Sequence, residues 1–178
     1  MATTEANNRA RLVFSLFDAD GNGYIEPADF ELMGGRVAAA VPAAGEEAKN
    51  RLLSAFQRYW QTLVTELDAN GDGRISPEEF TATVLNPQRF DATVSEFAEA
   101  LAALGDPDGD GRVTRPDFLA LMTAIGFEQA NIEALFDAFG PDGDDRVAVR
   151  TWADGIRDYY RPEKSGIPGD HLTAGAAG

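Results

Sequence analysis

Apolar residues recur along this chain at three- and four-residue steps, in segments of helical length separated by stretches rich in Asp, Asn and Gly. Leu12, Val13, Leu16 and Phe17 share one face of residues 4–17, which predicts an amphipathic helix. Pro27 opens a second helix, over 27–40, where its missing N–H costs nothing in the first turn. Phe30 and Met33 face inward there, Gly34 and Gly35 weaken the helix, and Pro42 and Gly45 end it. The longest segment, 46–67, carries Leu52, Leu53, Phe56, Trp60, Leu63, Val64 and Leu67. A short helix over 77–85 follows. Asn86-Pro87 then breaks the chain before a helix over 90–104 with Val94, Phe97, Leu101 and Leu104 inward. Three more helices are expected over 115–125, 128–139 and 150–160. Residues 161–178, rich in Pro, Gly and Ala, show no period and are expected to be mobile.

The polar stretches between these helices repeat. Residues 18–29, 68–79 and 106–117 place oxygen-bearing side chains at positions 1, 3, 5, 9 and 12, glycine at position 6, and Ile or Val at position 8. Loop one offers Asp18, Asp20, Asn22, the Tyr24 carbonyl, Glu26 (direct or through water) and Asp29. Loop two offers Asp68, Asn70, Asp72, the Arg74 carbonyl, Ser76 through water, and Glu79. Loop three offers Asp106, Asp108, Asp110, the Arg112 carbonyl, Thr114 and Asp117. Ca²⁺ takes six to eight oxygens at about 2.3–2.6 Å, and alternate positions of a tight loop can supply them. A fourth stretch, 140–151, aligned on Val147, has Gly140 at position 1, Asp145 where glycine is wanted and Ala148 at position 9. With only Asp142, Asp144 and a carbonyl left as ligands, it is expected to stay empty and to brace loop three.

One such Asp/Gly cluster reads equally well as a surface turn or a helix cap, since Ser76-x-x-Glu79 is also a capping box. Three in register, each between amphipathic helices, favour a metal loop. The pattern resembles the EF-hand superfamily across residues 4–160. It implies an all-α fold of four helix–loop–helix units, in two pairs packed into one globule. The pairs are expected over 1–86 and 87–160, with 161–178 as a tail. Position 8 of each loop should meet its neighbour's, Ile25 with Ile75 and Val113 with Val147.

The finer resemblance is to the sarcoplasmic calcium-binding proteins and their bacterial relatives of the calerythrin type. Its grounds are the length of 178 residues, the wide spacing between loops one and two, one degenerate hand, and aspartate at position 12 of loops one and three. That resemblance implies calcium buffering or transport. The coelenterazine-binding photoproteins are similar in architecture but use several cavity histidines, whereas the one histidine here is His171, in the tail.

Charge and composition narrow the partners. A formal charge of −15 opposes binding to nucleic acid or to an anionic membrane surface. No apolar run approaches the roughly 18 residues that span a bilayer. Without cysteine, disulfides, zinc–thiolate sites and thiol catalysis are excluded. The first residues lack the basic and apolar regions of a signal peptide, and Ala2 stands where myristoylation needs glycine. A cytoplasmic, soluble monomer is the expectation. No histidine in the folded region, no phosphate-binding loop and no nucleophile elbow argue against an enzyme.

The remaining choice is between a Ca²⁺ or Ca²⁺/Mg²⁺ buffer or signal modulator and a calmodulin-like sensor that binds a target protein. Sensors expose a methionine-rich groove. This chain has three methionines including the initiator, and Met33 and Met122 sit at core positions, so buffer or modulator is favoured. Leu52, Phe56, Trp60, Phe97 and Phe136 are the residues that would line a groove in the alternative.

Loops one and three differ from loop two at position 12. Aspartate is one methylene shorter than the usual glutamate. It favours single-oxygen contact and a coordination number nearer six, which suits Mg²⁺. Asp29→Glu and Asp117→Glu are each expected to raise Ca²⁺ selectivity over Mg²⁺, read by competition titration.

Overall fold

Proline and short polar side chains set where the helices begin. The computed structural model describes residues 3–18, 21–67, 74–164 and 166–173. Thr3 caps α1, Thr4–Phe17, by accepting the Ala6 N–H at 3.0 Å. Proline lies in the first two positions of α2 (Pro27–Ala39), α4 (Pro77–Val84), α5 (Pro87–Leu104) and α6 (Arg115–Ile125). Between them α3 runs Glu46–Leu67; α7 spans Gln129–Ala138, α8 Val149–Tyr159, and a 3-10 helix Pro168–Thr173. The strands β1, Arg112–Thr114, and β2, Arg146–Ala148, are short.

These bounds follow the apolar periodicity to within a residue at most ends. Helix α5 starts three residues early, because Asn86 accepts the Gln88 N–H at 3.1 Å and Pro87 opens the helix instead of blocking it. Leu53 also departs from expectation. It is 36% exposed, while Leu52, Phe56, Tyr59 and Leu63 carry the buried stripe of α3. Leu53 lies over α2 at Gly34, where an added Cβ would stand 3.1 Å from its Cδ2.

The expected loop pairings are present. Ile25 and Ile75 exchange N–H···O bonds of 2.9 and 3.0 Å. Val113 faces Val147 in the antiparallel pair of β1 and β2. Each contact ties two helix–loop–helix units into a pair.

The two pairs share one core. Helix α3 packs along α5, with the Phe56 and Phe97 ring centres 5.1 Å apart and those of Tyr59 and Phe90 4.8 Å apart. The hydroxyls of Thr62 and Thr93 meet at 2.8 Å across the same seam. Tyr59 donates its hydroxyl hydrogen to Tyr160 at 3.1 Å. Burial pushes the Tyr160 phenol up to about 12, so the pair stays neutral at any physiological pH. Among the described residues, no helix is long and apolar enough to cross a membrane.

The last segment overturns its expectation. Residues 161–178 are expected to be mobile, yet of these the described residues 161–164 and 166–173 fold back onto the globule. The Thr3 N–H bonds the Pro162 carbonyl at 2.9 Å, and Leu172 is buried. Periodicity misses this because a 3-10 turn held by polar contacts has no apolar repeat. His171 is exposed, as the sequence implies.

A core continuous across both pairs should unfold as one unit. Denaturation followed separately through Trp60 and Trp152 is expected to give coincident transitions. Phe97→Ala should lower both midpoints together, at a cost of about 3–5 kcal/mol. Two separate transitions would show that the seam is weak.

Candidate metal centre

Loops one and three are built on the same hydrogen-bond scaffold. In loop three the Asp110 and Gly111 N–H groups donate to Asp106 Oδ1 and Oδ2, at 3.1 and 2.9 Å. In loop one the Asn22 and Gly23 N–H groups donate to Asp18 Oδ1 and Oδ2, at 3.2 and 2.9 Å. The Arg112 N–H meets Asp110 Oδ1 at 2.8 Å, and the Tyr24 N–H meets Asn22 Oδ1 at 2.9 Å. Positions 4 and 6 turn with positive φ in both: +70° and +83° at Gly109 and Gly111, +68° and +87° at Gly21 and Gly23. Only glycine takes that conformation freely, which is why it recurs.

This scaffold brings Asp106, Asp108 and Asp110 together, with one carboxylate oxygen of each within 4.8 Å of the others. An all-oxygen donor set of this kind fits a hard divalent cation. Burial, helped by Asp108 and Asp110, raises the Asp106 pKa even against the N–H groups of Gly111 and Asp110, which lower it. Without metal, this group stabilises the folded state only at low pH, and that contribution is lost as pH rises through its folded pKa. Asp110 is held below the usual range, first by the Arg112 N–H and also by the Arg146 charge.

The exits from the loops are helix caps. Asp29, nearly buried, accepts the Glu26 N–H on Oδ2 at 2.9 Å. Glu79 accepts the Ser76 N–H at 2.9 Å, and Ser76 accepts the Glu79 N–H at 3.2 Å. Thr114 accepts the Asp117 N–H at 3.3 Å. Position 9 and position 12 therefore sit together at each exit. The Asn22 amide donates to Glu26 Oε1 at 2.7 Å, which holds Glu26 beside the loop. Asp20, Asp68, Asn70 and Asp72 lie outside the described residues.

Loop four is organised by arginine. Asp142 Oδ1 accepts the N–H groups of Asp144 and Arg146, at 2.9 and 3.1 Å. Asp142 Oδ2 pairs with Arg112 at 3.0 Å. Arg115 forks onto both oxygens of Asp145, at 2.7 and 2.9 Å, and also reaches Asp137 at 2.7 Å. Those bonds hold Asp145 below the usual carboxylate range and raise the guanidinium further. In return Arg146 reaches Asp110 of loop three at 2.5 Å. Ligand spacing does not reveal these cross-loop pairs; the signal for them was arginine at positions 7 and 10 of loop three facing the acidic run 142–145.

Asp108→Asn keeps the acceptor for the Asp110 N–H (3.2 Å) but removes one of three crowded charges. Divalent-ion affinity at loop three is expected to fall about tenfold, ~1.4 kcal/mol. Metal-free stability should hold or rise, within about 0.5 kcal/mol. Titration calorimetry and denaturation in chelator check the two signs, and a clear loss of metal-free stability would contradict the repulsion argument.

The sequence matches the EF-hand domain pair family over residues 7–82 and again over 49–123, which takes in hands one to three. It is 26% identical to calerythrin of Saccharopolyspora erythraea over 167 residues, 90% of this chain and 94% of that protein. A Streptomyces coelicolor calcium-binding protein, solved as the structural basis for prokaryotic calcium-mediated regulation by that protein, is 28% identical with a TM-score of 0.72. The likeness covers 89% of this chain and 99% of that one. A sarcoplasmic calcium-binding protein from amphioxus, 18% identical, shares the fold with a TM-score of 0.69 over 97% of this chain and 98% of its own.

Proposed function

The chain belongs to the EF-hand domain pair family, and on that ground we propose that it is a calcium buffer or signal modulator binding two to three ions through loops one, two and three. The observation that supports this is the recurrence in loops one and three of one hydrogen-bond scaffold, which in loop three lies beside the convergent carboxylates of Asp106, Asp108 and Asp110. Asp18, Asp20, Asn22, Glu26 and Asp29 with the Tyr24 carbonyl hold the first ion. Asp68, Asn70, Asp72, Ser76 and Glu79 with the Arg74 carbonyl hold the second. Asp106, Asp108, Asp110, Thr114 and Asp117 with the Arg112 carbonyl hold the third. Loop four stays free of metal because Arg112 and Arg115 already neutralise Asp142 and Asp145.

Buffering is favoured over sensing by where the apolar surface lies. Met33 and Met122 are 1% and 4% exposed, and the aromatic stripe that would line a groove is shared between the two pairs. The similarity to the Streptomyces coelicolor protein supports a regulatory variant of the same role, in which the ion-loaded form changes the free calcium seen by other proteins. Asp29 and Asp117, with their shorter arms, admit Mg²⁺ as a competitor at loops one and three.

The experiment is calcium titration calorimetry with an apolar fluorescent dye read in the metal-free, Mg²⁺-loaded and Ca²⁺-loaded protein. Two or three ions and no calcium-specific dye signal are expected. A dye signal that appears only with calcium would replace buffering by sensing. Fewer than two ions would sink the assignment of the loops.

A further inference from the structure

Arg9 lies on the inward face of α1 with no exposed surface. A buried guanidinium is destabilising unless nearly every donor is paired. Its partners come from the end of the chain. Nε donates to the Tyr159 carbonyl at 2.8 Å, and Nη1 to Asp170 Oδ1 at 2.6 Å. Nη2 donates to the carbonyls of Arg161 and Lys164, at 3.0 and 3.1 Å. Asp170 also accepts the Ile167 N–H on Oδ2 at 3.2 Å, so one carboxylate both folds the segment and grips α1. The Thr3 hydroxyl adds a bond to the Lys164 carbonyl at 3.1 Å.

Beneath this segment lies an apolar cavity of about 70 Å³, lined from both halves by Phe17, Met33, Phe97, Met122 and Trp152. Gly169 and Leu172 complete the lining from above. The chain at Gly169 lies so close to the Tyr159 ring that a Cβ would stand 2.9 Å from its Cδ2. Leu172 is 4% exposed. The cavity is under half the ~150 Å³ that lets a dry cavity accept benzene. It is therefore no chamber for a carried ligand. It is the space left where a short segment covers a longer apolar seam.

We propose that the apolar seam between the two EF-hand pairs is a docking surface whose resident occupant is the protein's own C-terminal segment, residues 162–164 and 166–173, clasped by Arg9. The segment holds the seam closed with or without calcium. Releasing it uncovers Phe17, Met33, Met122 and Trp152 while the helices that carry them stay packed. This goes beyond the buffering role and does not require any loop to bind an ion.

The test uses the full chain with Asp170→Asn, which weakens the clasp, and Leu172→Asp, which empties the seam. Apolar dye fluorescence, helix content and tryptic cleavage after Lys164 are read in calcium and in chelator. Both variants are expected to bind dye several-fold more than the unaltered protein at unchanged helix content, with faster cleavage. A synthetic peptide of residues 161–178 should suppress that dye signal by taking the vacated place. Folded variants with no gain in dye signal would overturn the proposal, as would a gain that the peptide leaves intact. If Leu172→Asp loses helix, Asp170→Asn decides. Failure of calcium binding in the unaltered protein would sink the buffering role and leave these chelator measurements standing.

Discussion

Carboxylates crowded into one loop repel one another, and much of this structure answers that repulsion. Two unit charges about 4 Å apart interact by about 1 kcal/mol in water and about 4 kcal/mol at a protein surface. Loop three holds three within 4.8 Å. The backbone turns its N–H groups inward to meet them, and glycines at positive φ make that turn possible. The same solution recurs in loop one, nearly bond for bond. Partial positive charge from the N–H groups holds the cluster together without cancelling it, which leaves the loop ready for a divalent cation.

Hands three and four divide that task. Loop three keeps its carboxylates unneutralised except at Asp110, which Arg146 reaches from across the pair. In loop four Asp142 and Asp145 pair with Arg112 and Arg115. Arg115 also lies over the Phe136 ring, with its guanidinium carbon 4.6 Å from the ring centre, so the charge that locks loop four is anchored to the core. Each exposed pair alone contributes little, because solvent screens it. Together with the Val113–Val147 contact they hold the fourth loop in shape. On the proposed assignment, the degenerate hand persists as the fixed half of a pair whose other half binds.

Most of the fold was legible because helix faces and loop ligands both repeat. The pairings Ile25–Ile75 and Val113–Val147 followed from loop position alone, and they were found. Asp106, Asp108 and Asp110 converge as their spacing implies. What escaped was polar and long-range. Arg9 sits in the stripe Ala6, Ala10, Val13 and Phe17, where an arginine breaks the apolar pattern without naming its partner 161 residues away. Periodicity sees side chains that seek a common core. It does not see carbonyls gathered around one guanidinium, so 161–178 reads as free although 161–164 and 166–173 are held. The Arg112, Arg115 and Arg146 bridges were hidden for the same reason.

The closed form follows from how the halves are joined. Opening a hand toward a target by parting the halves would separate α3 from α5. That exposes Phe56, Tyr59, Phe90 and Phe97, each buried to within 6% or better. Such side chains contribute about 1.5–3 kcal/mol each through burial, and their ring contacts about 0.5–1.5 kcal/mol more. A ligand must favour the open state by about 5.5 kcal/mol to turn a 1:99 equilibrium into 99:1. Separating the halves would ask more than that of the ions, because the four aromatic side chains alone exceed it. Where each half instead has its own core, a hand opens at the expense of that half alone. Here the shared aromatic seam makes parting the halves a cost to the whole chain, and that cost is the physical ground for proposing a buffer over a sensor.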